Sequence, residues 1–191
     1  MNAETAGLAV ACIWAAFLVY WFISAARTRA STKRRQPFPP LLLVTFLLIL
    51  GWALFAGVVP PGLLQERVIP ANDWTLSAGL AITALGLGFA VWARVHLGRN
   101  WSSRPTIRVG HTLVRTGPYR FVRNPIYTGL LIGFTGTAIV IGVFSAFVLI
   151  LFLAAAFLLR IREEEKLLLE EFGGEYEKYR GEVRALIPYL L

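Results

Sequence analysis

Residues 120–129 read RFVRNPIYTG, with two arginines, an asparagine and a tyrosine set directly against a long apolar run. Guanidinium groups recognise anions through charge-assisted, often paired hydrogen bonds. Pro125 lacks an amide hydrogen and suits the first helical position, so a helix beginning at residue 125 or 126 turns its open N–H groups toward Arg123 and Asn124. A helix N-terminus beside a guanidinium is an anion site, and Tyr127, in the first turn, has a hydroxyl that can reach the same anion. The opposite charge comes later, at Glu163, Glu164 and Glu165. A carboxylate at a membrane edge, facing an arginine cluster, is a candidate for a buried partner or a ligand contact. The residue types alone do not choose among the three. Gly129, Gly133 and Gly136 form a stripe that signals close helix packing and leaves room for a flat ligand group beside Gly129. No metal site is expected, because His96 and His111 are the two histidines and Cys12 is the one cysteine.

Something must hold these groups at an apolar edge. The chain has 191 residues, 57% of them hydrophobic, 16% charged, and a net charge of +8. That composition implies a membrane protein. Segments 5–26, 40–59 and 74–93 each have the length and apolarity of a spanning helix. The uncharged run 126–159 is too long for one span and reads as a tight helical hairpin turning near residues 142–145. The expected fold is therefore an all-α integral membrane protein with five transmembrane helices, the last two a hairpin, followed by a helical tail.

Charge in the loops sets the orientation. The loop after the first span carries five basic residues and no acid, the next has Arg67 as its one basic residue, and residues 94–125 carry seven arginines and no acid. Basic loops stay in the cytoplasm, which predicts an outer N-terminus and a cytoplasmic C-terminus. The first span follows Glu4 rather than a basic segment, so it reads as an anchor and not as a cleaved signal. Headgroup contact accounts for Arg94, Arg99, Arg104 and Arg108 at this level. In the tail, Gly173 and Gly174 should interrupt the helix leaving the membrane, with a short helix resuming before Pro188. The whole forms one domain of residues 1–191, three spans in 1–95 and the chemistry-bearing half in 96–191.

Three ordered blocks resemble the isoprenylcysteine carboxyl methyltransferase family and, more loosely, the phospholipid methyltransferases. They are HTLV with GxY (His111 to Val114, Gly117, Tyr119), RxPxYxG (Arg123, Pro125, Tyr127, Gly129) and EExxLxxxFGxxYxxY (Glu164, Glu165, Leu168, Phe172, Gly173, Tyr176, Tyr179). The resemblance covers residues 96–191. It implies an enzyme that binds S-adenosylmethionine between the last helices and the tail and methylates a lipid-borne acceptor, the carboxylate of a prenylcysteine-like substrate. On this resemblance Arg123 and Glu164 are the catalytic candidates. His111, Tyr119, Asn124, Tyr127, Gly129, Glu164 and Glu165 are the cofactor-binding candidates. The family usually has histidine where Asn124 stands, which removes any titratable ring from that position and leaves hydrogen bonding.

A carboxylate acceptor is already ionised at neutral pH and needs no general base; an amine or hydroxyl would need one, from Glu164, Glu165 or His111. Alternatives are methylation of a phospholipid amine, an NADPH-dependent sterol or enone reductase with a similar arginine, proline and tyrosine block, and a non-enzymatic scaffold holding anionic lipid on its basic loops. Membrane lipids are expected partners and nucleic acid is not, since the arginines lie within reach of the bilayer. A monomer is favoured.

Overall fold

The computed structural model describes residues 1–26, 32–35, 62–98, 106–108 and 113–188. Five helices are present among them: α1 (Ala3–Ala26), α2 (Asp73–Leu97), α3 (Pro125–Ile141), α4 (Phe144–Phe172) and α5 (Gly174–Glu182). Of these, α1, α2 and α4 are long and apolar enough to cross a membrane, and α3 is a shorter apolar helix. The span expected at 40–59 lies outside the described residues.

The expectation of an all-helical chain needs one amendment. Strands β1 (Thr32–Arg35) and β2 (Thr106–Arg108) pair antiparallel and link the two basic loops. Thr106 and Ile107 are β-branched and favour extended backbone, a signal too short to read without its partner.

Bonds at the helix ends fix the directions of α1 and α2. The Met1 amino group bonds Asp73 Oδ1 at 2.8 Å, joining the two N-terminal ends. Arg94 Nη2 donates to the Ser24 carbonyl at 3.0 Å, joining the two C-terminal ends. These helices therefore run parallel. Helix α2 starts under a capping box, in which the Asn72 side chain accepts from the Thr75 amide and Thr75 bonds back.

The tightest packing lies between α2 and α3, which run antiparallel. A Cβ on Gly86 would lie 2.7 Å from the Gly129 carbonyl oxygen and against the Gly133 amide. Similarly, one on Gly136 would lie 2.6 Å from the Gly79 carbonyl oxygen. The expected glycine stripe is thus a backbone-to-backbone seam of the small-residue kind. Buried Thr83 satisfies its hydroxyl on the Gly79 carbonyl at 2.8 Å, and the Trp14 indole N–H reaches Thr137 Oγ1 at 2.9 Å. Around this seam Phe17, Leu87 and Ala90 form one apolar cluster, and Ala6, Val10, Leu76 and Val140 another.

Helix α3 ends at Gly142, whose φ of 73° is a left-handed cap that glycine adopts without strain. Val143 separates it from α4, so the helix break falls within the expected stretch. The Val68 and Phe144 amides bond the carbonyls of Gly142 and Glu66 at 2.8 and 3.0 Å, tying this end to the approach to α2. At the other end α4 stops at Phe172, Gly173 takes φ 50°, and α5 follows, as the paired glycines predict.

Candidate functional site

The polar side chains converge where α3 begins and α4 leaves its apolar stretch. Pro125 is the first residue of α3 and is buried, leaving Arg123 and Asn124 just ahead of the helix. Arg123 donates from Nε and Nη2 to Glu165 Oε1 at 2.9 and 2.7 Å, with side-chain exposures of 9% and 12%. Its Nη1 reaches the Arg180 carbonyl at 3.1 Å and also the Val183 carbonyl. Glu165 is further approached by Arg180 at 3.8 Å.

Tyr127 points elsewhere. Its hydroxyl donates to Glu164 Oε1 at 2.8 Å and accepts from Arg160 Nε at 2.5 Å. Arg160 Nε also bonds Glu164 Oε1 at 3.0 Å, one turn along the same helix. The Tyr127 ring leans on Phe157 at 5.0 Å. Arg123 and Tyr127 therefore do not meet on one group, because consecutive helical residues diverge by about 100° and send Glu164 and Glu165 to different partners.

The three tail glutamates are now distinct. Glu163 pairs with exposed Lys166 at 2.8 Å, a solvated helix-surface pair worth a few tenths of a kcal/mol, roughly. Glu165 is locked to Arg123. Glu164 has Oε1 held by Tyr127 and Arg160, while its Oε2 takes no protein hydrogen bond among the described residues. A partly buried carboxylate with one oxygen fixed and one available suits a cationic or hydrogen-bond-donating ligand.

Asn124 donates from Nδ2 to the Ala185 carbonyl at 3.2 Å, so its side chain binds the C-terminal segment. Gly129 does not offer the ligand approach expected of it, since a Cβ there would lie 2.6 Å from both the Ala90 amide nitrogen and the Gly86 carbonyl oxygen. Tyr119 is buried, its carbonyl accepts from the Tyr179 hydroxyl at 2.6 Å, and its ring lies 6.5 Å from that of His96. Burial raises the Tyr119, Tyr176 and Tyr179 phenols above the ordinary tyrosine value. His111 lies outside the described residues. Among those described, no group of three His, Cys, Asp or Glu could hold a metal ion.

Several contributors escaped the reading by residue type. Arg94 is 2% exposed and donates to the carbonyls of Ser24 and Gly98, closing the ends of α1 and α2 rather than meeting headgroups. Arg160 was legible only as charge leaving the membrane. Residues 180–186, which supply carbonyls to Arg123, Asn124 and Thr128, carry no side-chain signal at all.

Apolar helices with a charged, hydrogen-bonded cluster at one end define an integral membrane protein with a polar site beside the bilayer. The model of the family described as phospholipid methyltransferase matches residues 74–175, and the chain belongs to that family. It is 34% identical over 117 residues to the Schizosaccharomyces pombe protein-S-isoprenylcysteine O-methyltransferase, covering 60% of this chain and 50% of that one. The rice (Oryza sativa subsp. indica) probable protein-S-isoprenylcysteine O-methyltransferase is 33% identical over 123 residues, 61% of this chain and 63% of that protein. The mouse 3-oxo-5-alpha-steroid 4-dehydrogenase 1 is 28% identical over 156 residues, covering 80% and 58%. A solved structure of the eukaryotic intramembrane Ras methyltransferase, an isoprenylcysteine carboxyl methyltransferase, superposes with a TM-score of 0.61 at 26% identity, covering 81% of this chain and 55% of that one. The resemblance read from the three blocks thus stands, and the chain spans about half to two thirds of the length of these relatives.

Proposed function

We propose that this chain transfers a methyl group from S-adenosylmethionine to the carboxylate of a prenylcysteine-like lipid at the cytoplasmic membrane face. The observation that carries this reading is Glu164, whose one oxygen is fixed by Tyr127 and Arg160 while the other takes no protein hydrogen bond among the described residues. The cofactor has an ammonium group and ribose hydroxyls, donors that such an oxygen accepts. When bound, it supplies an activated methyl whose carbon–sulfur bond breaks as a bond to the acceptor oxygen forms, the electron pair returning to sulfur.

The residues then have separable tasks. Glu164 holds a donor group, Tyr127 and Arg160 hold Glu164, and the tail secured through Glu165 and Arg123 limits water. Alignment of donor and acceptor accounts for most of the acceleration in such a displacement. A carboxylate acceptor loses no proton, so no base is required, which agrees with a cluster whose carboxylates are already engaged by arginines. Tyr119 completes the proposed pocket lining among the described residues.

The same reading gives five spans. Parallel α1 and α2 require an intervening crossing, which the apolar residues 40–59 are long enough to make, and α3 with α4 forms the closing hairpin. The basic loops support a cytoplasmic polar end and, with it, a cytoplasmic C-terminus.

Equilibrium binding of labelled S-adenosylmethionine to the purified protein, followed by methyl transfer to a farnesylated cysteine in nanodiscs, tests the assignment. Binding of NADPH in place of S-adenosylmethionine would instead support a reductase, the reading favoured by the steroid dehydrogenase relative. Transfer to a phospholipid amine alone would retain the class and change the acceptor.

A further inference from the structure

The C-terminal segment after α5 lies along the entrance to α3. Val122 and Arg184 form a parallel bridge, and the Arg123 and Asn124 amides donate to the carbonyls of Arg184 and Ala185 at 2.8 and 3.0 Å. Side chains repeat the pattern. Asn124 Nδ2 reaches the Ala185 carbonyl, Thr128 Oγ1 reaches the Leu186 carbonyl at 2.8 Å, and Arg123 Nη1 reaches the carbonyls of Arg180 and Val183. Leu186 is buried at 4% exposure and anchors the segment by its apolar side chain.

We infer that Arg123, Asn124 and Thr128 are positioning residues that latch residues 183–186 as a strap beside the Glu164 site, Arg123 acting through the strap and Glu165 rather than on the reacting atoms. All three nitrogens of the guanidinium have protein acceptors: Nε and Nη2 on one carboxylate oxygen, Nη1 on two carbonyls. A planar fork so engaged ties α3, α4 and the tail together. The position where relatives of this family usually have histidine serves the same end, because Asn124 needs only a donor to hold Ala185. The strap thus borders the first turn of α3, from which Tyr127 reaches Glu164, so its release would alter the surroundings of a ligand held there. The strap's bonds are backbone carbonyls held by two backbone amides and a few side chains, a local unit that can release without unfolding the bundle. This inference rests on the proposed function for the identity of the ligand, but not for the latch itself.

The experiment uses the full chain in nanodiscs, with hydrogen exchange as one readout and S-adenosylmethionine turnover as the other. Exchange is followed at the Arg123 and Asn124 amides and across residues 183–187, without ligand. Thr128→Val and Asn124→Ala, which leave the guanidinium in place, are expected to speed exchange at these amides at least tenfold. They are also expected to raise KM for the methyl donor several-fold with kcat within twofold. Arg123→Ala should do the same more strongly, Arg123→Lys should recover part of the loss, and Asn124→His should restore slow exchange. Monodisperse elution and retained helical signal confirm that each variant folds; a variant that does not is replaced by Arg123→Lys as the measured change.

A fall in kcat for Arg123→Ala with strap exchange unchanged would overturn the inference and return Arg123 to the reacting centre. Unchanged exchange in both Thr128→Val and Asn124→Ala would also overturn it. Should the wild-type protein fail to bind S-adenosylmethionine, the functional reading falls, while the ligand-free exchange still decides the latch.

Discussion

Gly86 and Gly88 lie on the same helix, and the same substitution at each should act with opposite sign. A methyl at Gly88 meets nothing within 4 Å, so Gly88→Ala should stabilise by about 0.5–1 kcal/mol through the reduced freedom of the unfolded chain. At Gly86 the methyl would lie 2.7 Å from the Gly129 carbonyl oxygen, 2.9 Å from the Ile132 carbonyl carbon and against the Gly133 amide. All of these are backbone atoms, and no side chain can rotate away. Ordinary carbon contacts need about 3.5–4.0 Å, so α2 and α3 must separate by roughly 1 Å and lose packing along the seam. Overpacking of this kind costs about 1–3 kcal/mol, which outweighs the gain from the lost glycine. Because the gain from the lost glycine is common to both, the two variants should differ by the overpacking cost, roughly 1–3 kcal/mol. Unfolding in mixed micelles of rising dodecyl sulfate fraction, followed by circular dichroism, reads this difference directly. Because Gly129 lies two residues after Tyr127 near the start of α3, Gly86→Ala should also weaken ligand binding. Equal midpoints for the two variants would refute the claim that the glycine seam sets the distance between the helices.

Glu164→Gln should weaken S-adenosylmethionine binding by more than tenfold in equilibrium dialysis, whereas Glu163→Gln, which removes an exposed pair, should leave it within twofold. Thr137→Val leaves the Trp14 indole N–H without its acceptor and should lower stability by about 1 kcal/mol in the same micelle titration. Burial pushes the Tyr179 phenol up to about 12, with Arg123 and Arg115 opposing that shift. A raised tyrosine stabilises the fold fully below the unfolded value near 10. The unfolded chain then loses its proton first, so stability should fall from pH 10 to 12, a slope that Tyr179→Phe should reduce in thermal melts.

Three helices long and apolar enough to span were legible because a bilayer demands some 20 apolar residues in a row, a demand written locally in the chain. Helices α1 and α2 follow from it, as does the break between α3 and α4, where Gly142 supplies a left-handed cap. The same holds for the convergence of the arginine-rich block with the first acidic cluster, since each is a short stretch of unmistakable residue types. Which residue meets which was a different matter. Glu164 and Glu165 are neighbours of one chemistry, yet one bonds Tyr127 and the other Arg123, because that choice depends on how α4 is rotated against α3. Arg94 is of the same residue type as Arg99, Arg104 and Arg108, but its position at the end of α2 opposite that of α1 gives it the Gly98 and Ser24 carbonyls and burial. Gly129 could have faced a ligand or a helix, and only the approach of α2 settled it. The strap shows the limit most clearly. Its carbonyls belong to every residue type alike, so nothing in residues 183–186 announces a partner some 60 positions earlier. Hydropathy and helix-breaking chemistry act along the chain and can be read from it; pairing across the fold depends on helix rotation and close approach, which exist only once the helices have packed.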